Sequence, residues 1–239
     1  MGDFFIFNGC STKEFGMAVE KRPTQKTPKR RRTTFTIPGR NGNLHIDEDA
    51  FENVEVTYDV WFRGELPTPA QAHAVKSWLL SPKGYSRLED KYDPDYFRLA
   101  SFAGPMDIAD ILGRYGRCKI KFDCDPRCFL KSGEFPIDLE NNASLHNPTV
   151  FTAKPLIYIY GDGEGSITVA GVTVDIHTMT TGMLLDCENE LAQALGDVGQ
   201  CLDGDIYAPE FPELRAGENK VSFDGGVTAV KIVPRWWEP

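Results

Sequence analysis

The chain has 239 residues, 41% of them hydrophobic, 11% aromatic and 26% charged, with a formal net charge of −9 and a pI near 5.0. That apolar content offsets chain entropy and excludes disorder. The acidic balance opposes general binding to nucleic-acid phosphate, which depends on Lys and Arg displacing counterions. The longest apolar stretches, Phe4 to Phe7 and Leu156 to Tyr160, fall far short of the roughly 18 residues a membrane helix needs.

Met1-Gly2-Asp3-Phe4-Phe5 lacks the basic and long apolar regions of a secretory signal, so folding in a reducing cytoplasm is expected. The six cysteines, Cys10, Cys118, Cys124, Cys128, Cys187 and Cys201, are too scattered for a small disulfide scaffold and read as small buried apolar residues.

The basic run Lys29-Arg30-Arg31-Arg32 leads straight into the strand-like Arg32–Thr36, so it reads as charged edge protection or as a contact for a phosphate or an acidic partner. Ile37-Pro38-Gly39-Arg40-Asn41-Gly42-Asn43-Leu44 follows, and then an acidic turn, Asp47-Glu48-Asp49. Pro38 removes a donor and fixes φ, while Gly39 and Gly42 allow the positive φ of Asn-Gly hairpin turns, so the backbone reverses here with Arg40 at the tip.

From Asn53 to Phe62, Val54, Val56, Tyr58, Val60 and Phe62 alternate with polar residues and predict a strand with one face in a core, Trp61 being the exception. Thr68-Pro69-Ala70-Gln71 starts a helix running to about Leu80, with Thr68 as cap, Pro69 in the first turn and Gln71 completing a capping box. Its apolar residues are Ala72, Val75, Leu79 and Leu80, and Ser81-Pro82-Lys83-Gly84 stops it. Glu89-Asp90-Lys91-Tyr92-Asp93-Pro94-Asp95 is a solvated turn in which Asp93 and Asp95 serve the backbone. Cys118, Ile120, Phe122 and Cys124 then form the inner face of a half-solvated strand.

After Asp125-Pro126-Arg127 the sequence turns polar and turn-rich, which places a domain boundary near Ser132 and divides the protein into residues 1–132 and 133–239. The second half reads as a β-sandwich of short strands separated by glycine turns: 155–161, 166–169 and 172–176. A closing hairpin is expected around Asp224-Gly225-Gly226, and Gly161-Asp162-Gly163-Glu164-Gly165 reads as a hairpin turn, having two acids and no helix to hold a phosphate.

Catalytic and metal patterns are weak. Cys118, Cys124 and Cys128 with His146 or His177 could make a zinc site, but only Cys124 to Cys128 has zinc spacing. Glu89, Asp90, Asp93, Asp95 and Asp107 supply carboxylates without a glycosidase signature, and none of His45, His73, His146 and His177 sits in a nucleophile motif. Asn142-Ala143-Ser144 matches a glycosylation sequon that lacks a secretion signal to go with it. No enzyme, cofactor or metal assignment follows.

Several segments in this order resemble the distal tail protein (Dit) family of long-tailed, non-contractile phages (siphophages) and prophages. They are Phe5-Ile6-Phe7-Asn8-Gly9, Phe15-Gly16-Met17, the 37–42 turn, Trp61-Phe62, Trp78-Leu79, Gly84-Tyr85, Leu88 and Asp93. In the second half, Asn147-Pro148, 155–161, Phe211-Pro212-Glu213-Leu214 and Gly217-Glu218-Asn219 resemble the family's C-terminal domain. The resemblance implies a mainly β protein: an N-terminal β-sandwich with one helix and a projecting hairpin or belt, and a galectin-like C-terminal β-sandwich. It implies a virion structural protein of the tail tip, assembled in the host bacterial cytoplasm. Six copies would form a ring, a baseplate hub joining the tail tube to the tail-associated spike or lysin and the receptor-binding proteins, with the tape-measure protein nearby.

In that setting Gly39, Arg40, Asn41 and Gly42 form a subunit contact, Arg40 meeting a carboxylate on the next copy in two bonds; the alternative is a hairpin stabilised only locally. The net charge suits a lumen that DNA passes without sticking. A runner-up reading, motivated by Trp236-Trp237, Tyr158 and Tyr160, is a carbohydrate-binding adhesion module for host cell-wall polysaccharide. A cell-wall hydrolase is a third.

Overall fold

The structure, a computed structural model, describes residues 3–62, 69–105, 116–195 and 200–239. Thr68, Asp107 and the 106–115 segment lie outside the described residues. The protein divides into two compact units, Met1–Cys128 with Pro239, and Phe129–Glu238.

The first unit contains β1 (Phe5–Phe7), β2 (Cys10–Ser11), β3 (Met17–Val19), β4 (Thr24–Gln25), β5 (Arg30–Phe35), β6 (Leu44–Phe51) and β7 (Val54–Phe62). α1 (Pro69–Leu80), β8 (Ser86–Asp90) and β9 (Tyr96–Phe102) follow, then β10 (Arg117–Leu130), whose last two residues belong to the second unit. The main sheet has the order β2-β1-β8-β9-β10-β7-β3, with β4 also on β7, while β5 and β6 form a separate ribbon. The alternation in β7 and β10 has the expected effect: antiparallel pairing sets Ile120 opposite Tyr58 and Phe122 opposite Val56, all four buried. Phe5 and Tyr58 rings lie 4.4 Å apart and Phe7 and Phe122 rings 4.8 Å, so β1 contributes aromatic bulk to this core.

Helix α1 turns Ala72, Val75, Trp78 and Leu79 inward. Leu80, expected on that face, is 57% exposed, because one residue adds about 100° of rotation and carries it past the stripe that Trp78 and Leu79 share. The acidic 47–49 stretch is not a turn either. It lies inside β6, where Asp49 takes a φ of 50° and the register with β5 shifts between Arg30 and Arg32, a bulge that lengthens the strand.

The second unit contains β11 (Ile137–Leu139), β12 (Ser144–Asn147), β13 (Leu156–Val169), β14 (Val172–Met179) and β15 (Gly182–Asp186). β16 (Leu191–Ala194), β17 (Ile206–Tyr207), β18 (Gly217–Val233) and β19 (Trp237–Glu238) complete it. The order is β11-β18-β13-β14-β17, with β12 on β18 and β15 between β13 and β16. Ile157, Ile159, Ile167, Val169, Val221, Val230 and Ile232 build its core.

Here the glycine runs mislead. The 161–165 and 224–226 segments are not hairpin turns; they lie within β13 and β18, which pair along Leu156–Val169 with register shifts at Gly161 and Gly165. A Cβ at Gly226 would come 2.0 Å from the Asp162 carbonyl oxygen, and one at Gly161 would come 2.2 Å from that of Gly226. The glycines are there for close backbone approach, not reversal. At this point β13 changes partner, from β15 before the glycines to β14 after them. The true two-residue turn is Ala170-Gly171, both at positive φ, closing the β13–β14 hairpin.

Candidate assembly surface

The β5–β6 ribbon contributes no residue to the core cluster of its unit, and all of Arg30–Phe35 is exposed. Its register pairs Arg32 with Asp47, Thr33 with Ile46, Thr34 with His45 and Phe35 with Leu44. Cross-strand partners share a face and successive residues alternate, so the ribbon has two unlike faces. One face is a polar ladder: Arg32 Nε stands 3.6 Å from Asp47 Oδ2, Thr34 Oγ1 is 3.1 Å from His45 Nδ1, and Thr36 Oγ1 donates to Asn43 Oδ1 at 3.3 Å. The other face presents Phe35, Leu44 and Ile46, which are 48%, 37% and 51% exposed. At the base, Lys29 pairs with Glu52 at 3.0 Å, and Arg30 lies over the Phe51 ring and 3.5 Å from Asp47. Much of the basic run is thus neutralised within the ribbon.

All four predicted contact residues, Gly39, Arg40, Asn41 and Gly42, are exposed at the tip. Gly39 and Gly42 take φ of 80° and 77°, with open space where a side group would be. The Arg40 amide donates to the Ile37 carbonyl at 3.2 Å, which shapes the turn around an exposed Arg40. Sequence reasoning found the tip and missed the apolar face; the alternation of Thr33, Phe35, Leu44 and Ile46 was the available signal.

Several of the catalytic and metal candidates have structural employment. Tyr58 donates to Asp90 Oδ2 at 2.7 Å, and Asp90 Oδ1 accepts from the amides of Tyr92 at 2.8 Å and Asp93 at 3.1 Å. Asp90 therefore ties the turn, a role expected of Asp93 and Asp95. Burial, then the Asp90 charge, pushes the Tyr58 hydroxyl well above its usual range. Burial also pushes the Cys118 and Cys124 thiols up to about 12, so both are protonated at neutral pH. Among the described residues no three His, Cys, Asp or Glu groups converge as a metal ion requires. His146 pairs with Glu218 at 2.9 Å on the exposed face of β12.

In the second unit, the aromatic pair splits. Trp236 is 3% exposed in the core, while the Trp237 ring lies tilted 4.8 Å from that of Phe151 and its indole donates to the Thr152 carbonyl at 2.9 Å. Tyr158 and Tyr160 alternate with buried Ile157 and Ile159. An open groove of about 370 Å³ is lined by Lys154, Val172, Cys187, Glu210, Phe211 and Arg215, among others.

The fold is that of the Dit hub proteins of phage adsorption apparatus. The protein matches the crystal structure of SPP1 Dit (gp 19.1), described as a paradigm of the hub adsorption apparatus in Gram-positive infecting phages, with a TM-score of 0.74, 12% identity and 100% of each of the two covered. No protein-family model matches the sequence, and no curated protein matches it.

Proposed function

We propose that this is a non-enzymatic structural protein of a siphophage or prophage tail tip, in which six copies form a ring continuing the tail tube. The reading assigns ring formation to residues 1–132 and a galectin-like sandwich to residues 133–239. The hub then holds the tail-associated spike or lysin and the receptor-binding proteins, next to the tape-measure protein. The observation that carries it is the β5–β6 ribbon with its uncovered apolar face, in a protein whose whole length has the fold of a phage hub protein. Apolar surface grouped on an exposed ribbon marks an interaction site.

A second copy of the protein fits the ribbon in charge. Residues 29–52 hold five of the 26 Lys and Arg and four of the 35 Asp and Glu, so the ribbon carries +1 and the remainder −10. Arg40 is the tip residue assigned to a carboxylate on that neighbour. Light scattering and electron microscopy of the purified protein test the reading: rings are expected, and a stable monomer at micromolar concentration with no rings overturns it.

The groove beside Phe211 supports a second reading, a polysaccharide-binding accessory role for the C-terminal sandwich, since an aromatic face beside polar groups suits a sugar ring. Absence of any hit on an array of host cell-wall glycans removes it.

A further inference from the structure

The ribbon tip carries chemistry beyond the Arg40 contact. Asn41 and Gly42 are exposed, a Cβ added at Gly42 would meet nothing within 4 Å, and among the described residues none accepts a hydrogen bond from the Gly42 amide. We propose that Asn41 is a site of non-enzymatic deamidation, with its own backbone as nucleophile and water as the only co-reactant. The Gly42 peptide nitrogen loses its proton and attacks Asn41 Cγ. A C–N bond forms and closes a five-membered imide, the Cγ–Nδ2 bond breaks, and the amide nitrogen leaves as ammonia with the proton. Water then opens the imide at either carbonyl, giving aspartate or, when the backbone is rerouted through Cβ and Cγ, isoaspartate.

A second Asn-Gly pair in the same protein provides the comparison. Asn8 and Gly9 take φ of 49° and 78° in a two-residue turn closed by the Phe7 to Cys10 pair, and the Asn8 amide is bonded to the Arg87 carbonyl at 3.0 Å. That geometry belongs to the tight hairpin turns, which fix both residues at positive φ. Asn41 instead sits in the longer 36–43 connection between Phe35 and Leu44, whose nearest ties are Arg40 to Ile37 and Thr36 to Asn43. The same dipeptide therefore occurs once in a two-residue turn between paired residues and once in a longer connection.

Either product places a carboxylate beside Arg40, and isoaspartate also lengthens the tip backbone by one carbon. On the proposed ring, which this consequence rests on, a converted copy pairs Arg40 with its own carboxylate and holds its neighbour less tightly.

The folded protein is held at mildly alkaline pH and its peptides are mapped by mass spectrometry for the exchange of NH for O. Conversion at Asn41 about tenfold faster than at Asn8 is expected, a barrier difference of ~1.4 kcal/mol. Denaturant should bring the two sites together, and Asn41→Gln should abolish the fast phase. Equal rates in the folded protein, or an unchanged Asn41 while the unfolded protein is deamidated, overturns the site. The mass readout does not depend on ring formation. Converted and unconverted molecules separated by anion exchange and sized test the consequence: equal assembly overturns the weakened contact and leaves the site standing.

Discussion

The indole Nε1 of Trp78 donates to the Phe7 carbonyl oxygen at 3.0 Å inside the core, so one side group ties α1 to β1. The same ring stacks on Phe15 at 4.6 Å. Trp78→Phe removes this buried bond to the Phe7 oxygen and opens space beside it. A loss of about 3 kcal/mol is expected, read as a lower denaturant midpoint for the first unit.

Gly226→Ala drives a Cβ into the Asp162 carbonyl at 2.0 Å, a contact only backbone movement can relieve. Destabilisation of roughly 3 kcal/mol is expected. Gly204→Ala, with nothing within 4 Å of the added carbon, is the control and should stay within about 0.5 kcal/mol in the same denaturation series.

Ile46→Lys puts a charge on the apolar face of the ribbon without touching either core. Self-association should weaken at least tenfold, about 1.4 kcal/mol, while thermal stability moves little. Arg40→Ala should also weaken the ring and leave each subunit folded. Sizing of the two variants side by side separates the contributions of stem and tip, and an intact ring in both would return the ribbon to a merely local device.

Asp186 receives a bond from Arg235 and another from Asn189 at 2.8 Å. Burial works against its ionisation, but the Arg235 and Asn189 bonds outweigh it and hold the carboxyl below its ordinary 3.8. A depressed carboxyl binds protons less tightly folded than unfolded. Its stabilisation is therefore present above 3.8 and disappears as pH falls below that through the folded value. Asp186→Asn should cost about 2 kcal/mol at neutral pH and progressively less on acidification, measured as denaturant midpoint against pH.

Cys124 and Cys187 are buried thiols pushed up to about 12, whereas Cys201 is exposed. Alkylation of the native protein at mildly alkaline pH should label Cys201 first and reach Cys124 and Cys187 only on unfolding, with tryptic mapping as the readout.

The elements visible in the sequence are those where one signal has one cause. Period-two alternation in β7 and β10 has no reading other than a half-buried strand, and Pro38 with Gly39 and Gly42 leaves little but a reversal. Glycine at 161–165 and 224–226 has two causes, a turn or a close approach of backbones, and nothing local separates them. The resolving contact, Gly226 against Asp162, spans 64 positions. Asp90 was hidden likewise: its oxygen serves Tyr58 from 32 residues away, while Asp93 and Asp95 have the better local turn chemistry. At the candidate surface the charged tip stood out because its residues are unusual, and the apolar stem did not because alternation alone says nothing about whether a face is covered.

The glycine passage between β13 and β18 also bears on how the second unit comes apart. Each strand runs through both halves of the pairing: β13 serves β15 and then β14, and β18 serves β12 and then β11. Neither half can detach while keeping its own strands, so partial opening has no natural seam. Amides of β14 and β15, which never pair with each other, should exchange with solvent in one cooperative event.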